Sequence, residues 1–510
     1  MKTKITLLLT VLLLSVATGF AQTSGTTGTL TWTLENGTLT ISGAGEMEDY
    51  SYPDYAPWNS NSSSITTVII EDGVTSIGDY AFSFCRSLAT VTIPDGVTSI
   101  GDGAFEACIS LTSVTIPNGV TSIGEYAFSS CSSLATVTIP DGVTSIGKYA
   151  FSYCISLTSV TIPESVTSIG HGAFYYCNRL TAINVDENND YYTSANGVLF
   201  NKEKTTLIQY PAGKTDADYT IPESVTGIVN YAFSMCSSLA AVNIPNRVTS
   251  IGDAAFSYCG SLVSVTIGNS VTSIGDEAFH YCGSLASVTI PESVTSIGDE
   301  AFASCQNLES VIIGNRVTSI GDMAFDFCIS LTSVTIPESV TSIGDGAFSY
   351  CGGLVSVTIG NSVTSIGEYA FYGCSSLASV TNLNPEPQEI SLRVFTGITL
   401  SQVKLIVPHG TVEAYKAAEV WKDFNIVEDG SGSGIASVEV DELQISVADG
   451  VLKIASYAGG EVRIFDISGR AVGAKNFSPL RNGAATINIS TLPAGVYIVQ
   501  IGNRTGKFIK

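Results

Sequence analysis

The sequence contains few of the residues that enzymes and nucleic-acid-binding proteins depend on. It has three histidines, His171, His280 and His409, and none lies in a catalytic triad or a metal-binding motif. Lys and Arg number only 22 against 46 Asp and Glu, which gives a formal net charge of −24. There is no basic cluster and no glycine-rich phosphate loop. We therefore expect no enzyme activity, no cofactor, and no binding to nucleic acid or anionic lipid.

Long apolar runs are also scarce, and the only one lies at the N-terminus. Lys2 and Lys4 precede the apolar run from residue 5 to residue 16, and small residues follow it up to Ala21. This pattern predicts a signal peptide over residues 1–21. The run is short for a membrane span. We expect an exported chain without a transmembrane span in its mature form.

Cysteine is present in a strictly regular pattern with a period of 23 residues. The step from Cys177 to Cys236 is the one irregular interval, and it corresponds to two repeats plus an insertion of 13 residues. The cysteines are Cys85, Cys108, Cys131, Cys154, Cys177, Cys236, Cys259, Cys282, Cys305, Cys328, Cys351 and Cys374. Export and an even count would allow disulfides. Parallel side chains in neighbouring coils are poorly oriented for them, so we favour buried free thiols.

The repeat itself predicts a solenoid. In the unit from Asp102 to Gly124, Leu111, Val114 and Ile116 have the spacing of a short strand. A second short extended piece follows the turn, and the A-F-x-x-C segment of each unit has the spacing of one turn of helix. One such unit cannot bury its apolar face alone, so identical units must stack coil on coil.

The repeat pattern I-G-x-x-A-F-x-x-C-x-x-L-x-x-V-x-I-P-x-x-V-x-x resembles the BspA-like leucine-rich repeats of bacterial surface proteins, over residues 65–381. The resemblance implies a β-rich solenoid, a right-handed leucine-rich-repeat array of 23-residue coils. It also implies a cell-surface protein, since relatives of this type include adhesins for host extracellular-matrix proteins.

The segments on either side of the repeats are predicted to cap the two ends of the solenoid. Residues 22–64 contain a hairpin pattern around Asn36-Gly37, and residues 382–428 contain a last strand and a helix for which Thr411 is the predicted N-cap. A variant coil with a hairpin insertion is predicted at about residues 186–218. We expect this hairpin to protrude, and one alternative is that it forms a binding edge carrying Tyr191, Tyr192 and Tyr210.

The C-terminal region follows a Gly- and Ser-rich linker at residues 429–434. Residues 435–510 predict a small Ig-like β-sandwich and resemble the C-terminal sorting domain of type IX secretion. The residues that carry this sorting motif are Asp466, Gly469, Arg470, Gly495, Tyr497 and Lys507. The resemblance implies transport by the type IX machinery to the outer surface of a Gram-negative bacterium. The alternative is an ordinary Ig-like accessory module.

Two polar columns recur along the array. An acidic residue follows most Ile-Gly pairs, and we interpret it as a helix N-cap; a calcium ladder is the alternative, which Lys148 in the same column does not suit. The acidic residues are Asp79, Asp102, Glu125, Asp253, Asp276, Asp299, Asp322, Asp345 and Glu368. The second column consists of Thr and Ser on the first strand. It is similar to an ice-binding array, but Thr favours exposed strand positions in any case.

Tyrosine marks the most variable side of the coils. Because tyrosine is enriched at binding surfaces, Tyr126, Tyr149, Tyr153 and Tyr176 form the candidate partner surface. Sugar binding by Trp32, Trp58 or Tyr55 is a weaker alternative. The sequence thus predicts an exported protein that mediates protein–protein interaction or adhesion. The competing hypothesis is a non-adhesive structural or spacer protein of the cell envelope.

Overall fold

The computed structural model describes residues 23–429 and seven strands of the C-terminal region. The chain divides into two compact units between Ser431 and Gly432. The predicted signal peptide and nearly all of the predicted linker lie outside the described residues. None of the helices in the described part of the chain could span a bilayer.

The first unit is a β-solenoid in which most coils contribute one long and one short strand. Both kinds pair in parallel with the next coil at an offset of one repeat, as Val137 does with Val114 and Ile146 with Ile123. Central side chains of the long strands point inward while their Thr and Ser neighbours face outward, which is the alternation expected of a sheet with one buried face.

The long strands are three or four residues each. They span Thr67–Ile70, Thr90–Thr92, Ser113–Thr115, Thr136–Thr138, Ser159–Ile162, Ala182–Val185, Asp218–Thr220, Ala241–Asn243, Ser264–Thr266, Ser287–Thr289, Ser310–Ile312, Ser333–Thr335, Ser356–Ile359 and Ser379–Asn382. The short strands span Gly45–Glu46, Val74–Ile77, Ser99–Ile100, Ser122–Ile123, Ser145–Ile146, Ser168–Ile169, Gly227–Ile228, Ser250–Ile251, Ser273–Ile274, Ser296–Ile297, Ser319–Ile320, Ser342–Ile343 and Ser365–Ile366.

The A-F-x-x-C segment does not form the predicted turn of helix. It is a pair of tight turns with two left-handed residues per coil, such as Tyr126 (φ 55°) and Ser130 (φ 60°). Their N–H groups, and that of Phe128 between them, donate to carbonyls of the next coil at 2.7–2.9 Å. The prediction was wrong because it assumed that these backbone N–H groups donate within the segment, as in a helix. In the stacked coils they donate to carbonyls of the next coil instead. We call this third set of inter-coil hydrogen bonds the turn ladder.

The core is a column of phenylalanines flanked by cysteines. Phe105 and Phe128 stack with ring centroids 5.2 Å apart and planes 6° from parallel, and this geometry recurs along the array. All 12 cysteines are buried and free, as we favoured from the sequence. From Cys108 onward, each thiol lies near a carbonyl of the preceding coil; the Cys131 Sγ, for example, donates to the Phe105 carbonyl at 3.2 Å.

The N-terminal cap continues the core. Strands Ser24–Thr27, Leu30–Glu35 and Thr38–Gly43 form an antiparallel sheet, and a 3-10 helix spans Asn59–Ser64. Trp58 is fully buried and stacks on Phe82 at 5.7 Å. It therefore begins the aromatic column and covers the first coil.

The C-terminal cap closes the other end. Strands Lys404–Val407 and Asn425–Glu428 extend the long-strand stack, and buried Trp421 packs against Phe395 at 5.8 Å. The helices of this cap are the α-helix Val412–Ala417 and the 3-10 helices Leu400–Gln402 and Trp421–Asp423. The predicted N-cap is wrong in detail, because the Thr411 hydroxyl donates to the Pro408 carbonyl at 2.7 Å and makes no capping hydrogen bond.

The insertion forms a hairpin, but it does not protrude. Its strands span Tyr192–Ala195, Val198–Asn201 and Thr206–Gln209. Val198 and Phe200 belong to the apolar core on one side, whereas Leu199 belongs to the core on the other side. The hairpin strand therefore lies inside the stack and has both faces buried, which separates the core into two clusters.

The second unit contains two antiparallel sheets. One consists of Ile445–Ala448, Val451–Ile454 and Ala485–Asn488. The other consists of Gly460–Asp466, Ala471–Phe477, Val496–Ile501 and Arg504–Ile509.

Candidate binding surface

The turn ladder places one row of side chains at each of its two left-handed positions. All four tyrosines predicted from the sequence lie in these rows, with Tyr126 and Tyr149 in the first and Tyr153 and Tyr176 in the second. The rings of Tyr126 and Tyr149 stack at 5.0 Å, and those of Tyr153 and Tyr176 at 4.5 Å. Tyr126 is 37% exposed and Tyr153 is 40% exposed. The structure thus brings the predicted residues together as two stacked pairs.

Two further tyrosines join these pairs and were not selected from the sequence. The Tyr175 ring lies 5.4 Å from that of Tyr153 and 5.0 Å from that of Tyr231. Tyr231 in turn lies 5.6 Å from Tyr149. We call the six residues together the tyrosine surface: Tyr126, Tyr149, Tyr153, Tyr175, Tyr176 and Tyr231.

The variant coil explains why Tyr231 reaches this cluster. The turn ladder is interrupted after the Tyr153 N–H, which donates to the Tyr175 carbonyl at 2.8 Å. It resumes where the Tyr210 N–H donates to the Ala232 carbonyl at 2.7 Å. The missing A-F-x-x-C motif between Cys177 and Cys236 was the sequence signal for this interruption, although it did not specify which side chains would meet across it.

Gly172 makes room within the cluster. Its φ is +64°, and a Cβ built on it would lie 2.5 Å from Cε1 of Tyr149. Any larger residue there would displace the Tyr149 ring. The glycine therefore lets tyrosines from non-adjacent coils touch each other.

The surface is uncharged at neutral pH. Burial, and then interactions with Tyr231, raise the pKa of the Tyr149 phenol, and burial likewise raises the pKa of Tyr175. Beside the rings, Lys148 and Glu125 form an exposed ion pair at 3.2 Å. The tyrosine surface can therefore offer ring faces for apolar contact and phenol groups for hydrogen bonds.

The acidic column has a structural role that differs from the predicted helix N-cap. The Asp102 N–H donates to Asp79 Oδ1 at 2.6 Å, and the Glu125 N–H donates to Asp102 Oδ1 at 2.7 Å. The same pattern continues from Asn230 to Glu368. The aspartates of this column thus each accept a hydrogen bond from a backbone N–H of the next coil, whereas Glu125 and Glu368 form ion pairs with Lys148 and Arg393. Within the described residues, no group of His, Cys, Asp and Glu is arranged to hold a metal ion.

The other candidate residues are dispersed. Trp32 and Trp58 are buried in the N-terminal cap, so they cannot stack on a sugar. Tyr210 is also buried, and the Tyr192 hydroxyl accepts a hydrogen bond from the Ile169 N–H at 3.0 Å. These residues and exposed Tyr191 therefore do not form a binding edge.

The sorting motif is partly described. Asp466 and Tyr497 are paired across two antiparallel strands, and Lys507 is paired with Ile498. Gly469, Arg470 and Gly495 lie outside the described residues.

Comparison with known families agrees with both units. The model of the BspA type leucine rich repeat region matches residues 59–181, 98–217, 213–328 and 295–415. The model of the secretion system C-terminal sorting domain matches residues 440–510. None of the curated proteins matches this chain.

Solved structures of bacterial repeat proteins are similar to the first unit. A leucine-rich repeat protein from Eubacterium ventriosum is 31% identical, with a TM-score of 0.54, and the match covers 63% of this chain and 92% of that one. A leucine rich cell surface protein from Faecalibacterium prausnitzii is also 31% identical, with a TM-score of 0.49, over 66% of this chain and 95% of that one. The chain therefore belongs to the BspA type leucine-rich repeat family, and its type IX sorting domain makes it a secreted or cell-surface protein.

Proposed function

We propose that this protein binds a protein partner at the cell surface, and that the tyrosine surface forms the centre of the interface. The observation that carries this proposal is the contact network of six tyrosines at the interruption of the turn ladder. Tyrosine combines a large apolar area with a hydrogen-bonding group, and it is enriched among residues that dominate binding energy.

The stacking of the rings supports the proposal. Tyr126 and Tyr153 are held against neighbouring rings and yet remain more than one third exposed. Side chains that are ordered before binding lose less conformational entropy when a partner docks. The surface is therefore suited to a protein ligand, and adhesion to a host extracellular-matrix protein is the specific form that we propose.

The C-terminal unit supports a location on the outer surface of a Gram-negative bacterium. We infer that the type IX machinery recognises this unit, and that its two antiparallel sheets are the layers of a small Ig-like β-sandwich. Such a tail serves transport and attachment, which leaves the solenoid to meet the partner.

The experiment is solid-phase binding of the purified chain to matrix proteins, host cells and bacterial cells. We expect saturable binding to at least one of them that persists at high salt, because the tyrosine surface is uncharged. Absence of saturable binding across the panel would favour the non-adhesive structural role instead.

The repeat provides conservative variants for this test. Tyr126→Ala introduces the residue that Ala254 places at the same left-handed position, and Tyr153→Ser introduces the residue of Ser130. Matched controls are Tyr369→Ala and Tyr281→Ser, which make the same changes at equivalent exposed positions outside the tyrosine surface. Tyr126→Ala and Tyr153→Ser should weaken binding of the protein partner, whereas the two control variants should not.

A further inference from the structure

A second feature lies at the junction of the N-terminal cap and the first coils, and it shares no residue with the tyrosine surface. It is a pocket of about 330 Å³, a size at the lower end of those that hold small ligands or single side chains. Its walls are mainly aromatic, and its lining includes Tyr52, Tyr55, Trp58, Tyr80, Phe84 and Glu106. Four of the rings reach solvent, since Tyr52 is 84% exposed, Tyr55 52%, Phe84 48% and Tyr80 39%, whereas Trp58 is fully buried.

Two of the walls are fixed by contacts with neighbouring residues. The Trp58 Nε1 donates to the Ala81 carbonyl at 2.8 Å while the indole stacks on Phe82. The Tyr80 ring lies against Gly103, where an added Cβ would be 2.4 Å from Tyr80 Cε1. Two walls are thus held in place before any ligand arrives.

The outer rings form a corner. The centroids of Tyr52 and Tyr55 are 5.9 Å apart, and their planes are 80° from parallel. Neither ring is buried, and both belong to the segment that leads into the 3-10 helix Asn59–Ser64. Together with the Tyr80 ring, which is 39% exposed, they present aromatic faces in several orientations around one space, which fully buried Trp58 also borders.

Glu106 provides the only carboxylate of the lining. It occupies the column position at which the next two coils carry Ser129 and Ser152. Burial raises the pKa of Glu106, and the neighbouring Ser83 hydroxyl lowers it by less. Among the described residues Glu106 has no ion-pair partner. The nearby Arg86 guanidinium lies over the Phe84 ring at 5.8 Å and is not part of the lining.

We propose that this pocket binds an organic cation, with the ammonium or guanidinium group held against the aromatic faces and Glu106 as its counter-charge. Aromatic faces attract cations through their quadrupoles, most strongly where water is displaced. A half-buried carboxylate without an ion-pair partner also gains from an adjacent positive charge. The net charge of −24 raises the local concentration of cations near the protein. The cation is either a basic side chain of a protein partner or a free quaternary ammonium compound.

Calorimetric titration of the purified chain with three probes tests the proposal. Choline represents a free quaternary ammonium ion, Nα-acetyl-lysine methylamide represents a basic side chain, and 3,3-dimethylbutan-1-ol is the neutral isostere of choline. We expect saturable binding of at least one cation, and affinity at least about tenfold lower for the neutral isostere. The tighter of the two cations identifies the source of the ligand. Equal binding of choline and its neutral isostere, or no saturable binding of either cation, would overturn the proposal.

Variants separate the pocket from the rest of the molecule. Glu106→Ser and Tyr55→Ala should each weaken cation binding at least about threefold. Asp326→Ser is the matched control, because Asp326 is a half-buried acid at the same column position far along the array. If Glu106→Ser fails to fold, Tyr55→Ala still tests the pocket, since that side chain is half exposed. Unchanged affinity in Tyr55→Ala would contradict the assignment.

This proposal can fail independently of the proposed function. The pocket shares no residue with the tyrosine surface. Tyr126→Ala should therefore leave choline affinity unchanged, whereas the loss of partner binding in that variant tests the proposed function.

Discussion

Single residues at the left-handed positions decide how neighbouring side chains pack. Most coils have a non-glycine residue at these positions. The left-handed conformation costs such a residue about 1–2 kcal/mol, but its N–H group donates an inter-coil hydrogen bond. Gly103, Gly172, Gly346 and Gly373 avoid this cost. The sequence alone predicted which tyrosines occupy these rows, but it did not predict the contacts of Tyr175 and Tyr231, because those depend on which coils become neighbours at the interruption.

Gly103 offers a direct test of this packing. Gly103→Ala should lower the free energy of unfolding by about 1–3 kcal/mol, because the new Cβ would displace the Tyr80 ring. Gly346→Ala is the control, since the closest atom there is the flexible Met323 Cγ at 3.1 Å. Equal destabilisation of the two variants in urea denaturation would contradict the role assigned to Gly103.

The buried thiols make the stability sensitive to alkaline pH. Burial raises the pKa of Cys131, Cys177 and Cys305 from 9.0 to about 12. In the unfolded chain these thiols ionise at lower pH than in the folded chain, so their stabilising contribution is complete below pH 9 and is lost as the pH rises towards 12. We expect the urea midpoint to fall across this range.

The same burial predicts slow alkylation of the native protein. Iodoacetamide should label few of the 12 thiols at pH 8 under native conditions and all of them after denaturation. Mass spectrometry counts the labelled sites. If some cysteines of the denatured, unreduced protein remained unlabelled, they would be in disulfides. That result would contradict a column of free thiols.

At the scale of elements, the strands were predictable and the connections were not. The spacing of Leu, Val and Ile correctly located the long strands. The A-F-x-x-C segment has the spacing of a helix, but its hydrogen bonds run between coils and not within the segment. The strand Ala471–Phe477 was not predicted, because its Ala, Gly, Lys and Asn residues have low strand propensity. The insertion was predicted to protrude, yet the consecutive apolar residues Val198, Leu199 and Phe200 are the pattern of a strand buried on both faces.

The buried hairpin gives the element-scale prediction. Phe200→Ala should lower the free energy of unfolding by about 3–5 kcal/mol, because it leaves a cavity in the core. Tyr191→Ala, at a 54% exposed position of the same variant coil, should change it by less than about 0.5 kcal/mol. A negligible effect of Phe200→Ala in denaturation experiments would support a protruding hairpin.

At the scale of the whole molecule, we propose separate tasks for the array and the sorting tail. The tail matches the sorting-domain family over residues 440–510, so we expect deletion of residues 435–510 to abolish display without unfolding the solenoid. Protease accessibility on intact cells measures display. A truncated chain that still reaches the outer surface would show that another segment directs export.

The repeated architecture also explains what the molecule leaves free for binding. Trp58 and Trp421 close the two ends of the core. The aspartates of the acidic column accept hydrogen bonds from backbone N–H groups on successive coils. Specific recognition must then come from positions that vary between coils. The tyrosine surface joins six aromatic side chains at such positions through pairwise ring contacts, which is why it is central to the proposed function.

The most direct measurement compares partner affinity for the double variant Tyr126→Ala, Tyr153→Ser with that for the control Tyr369→Ala, Tyr281→Ser. Solid-phase binding at high salt, with the partner found in the panel, gives both Kd values. The account predicts at least about a tenfold higher Kd for the first variant and an unchanged Kd for the control. Equal affinity of the two variants would show that the partner binds elsewhere on the protein.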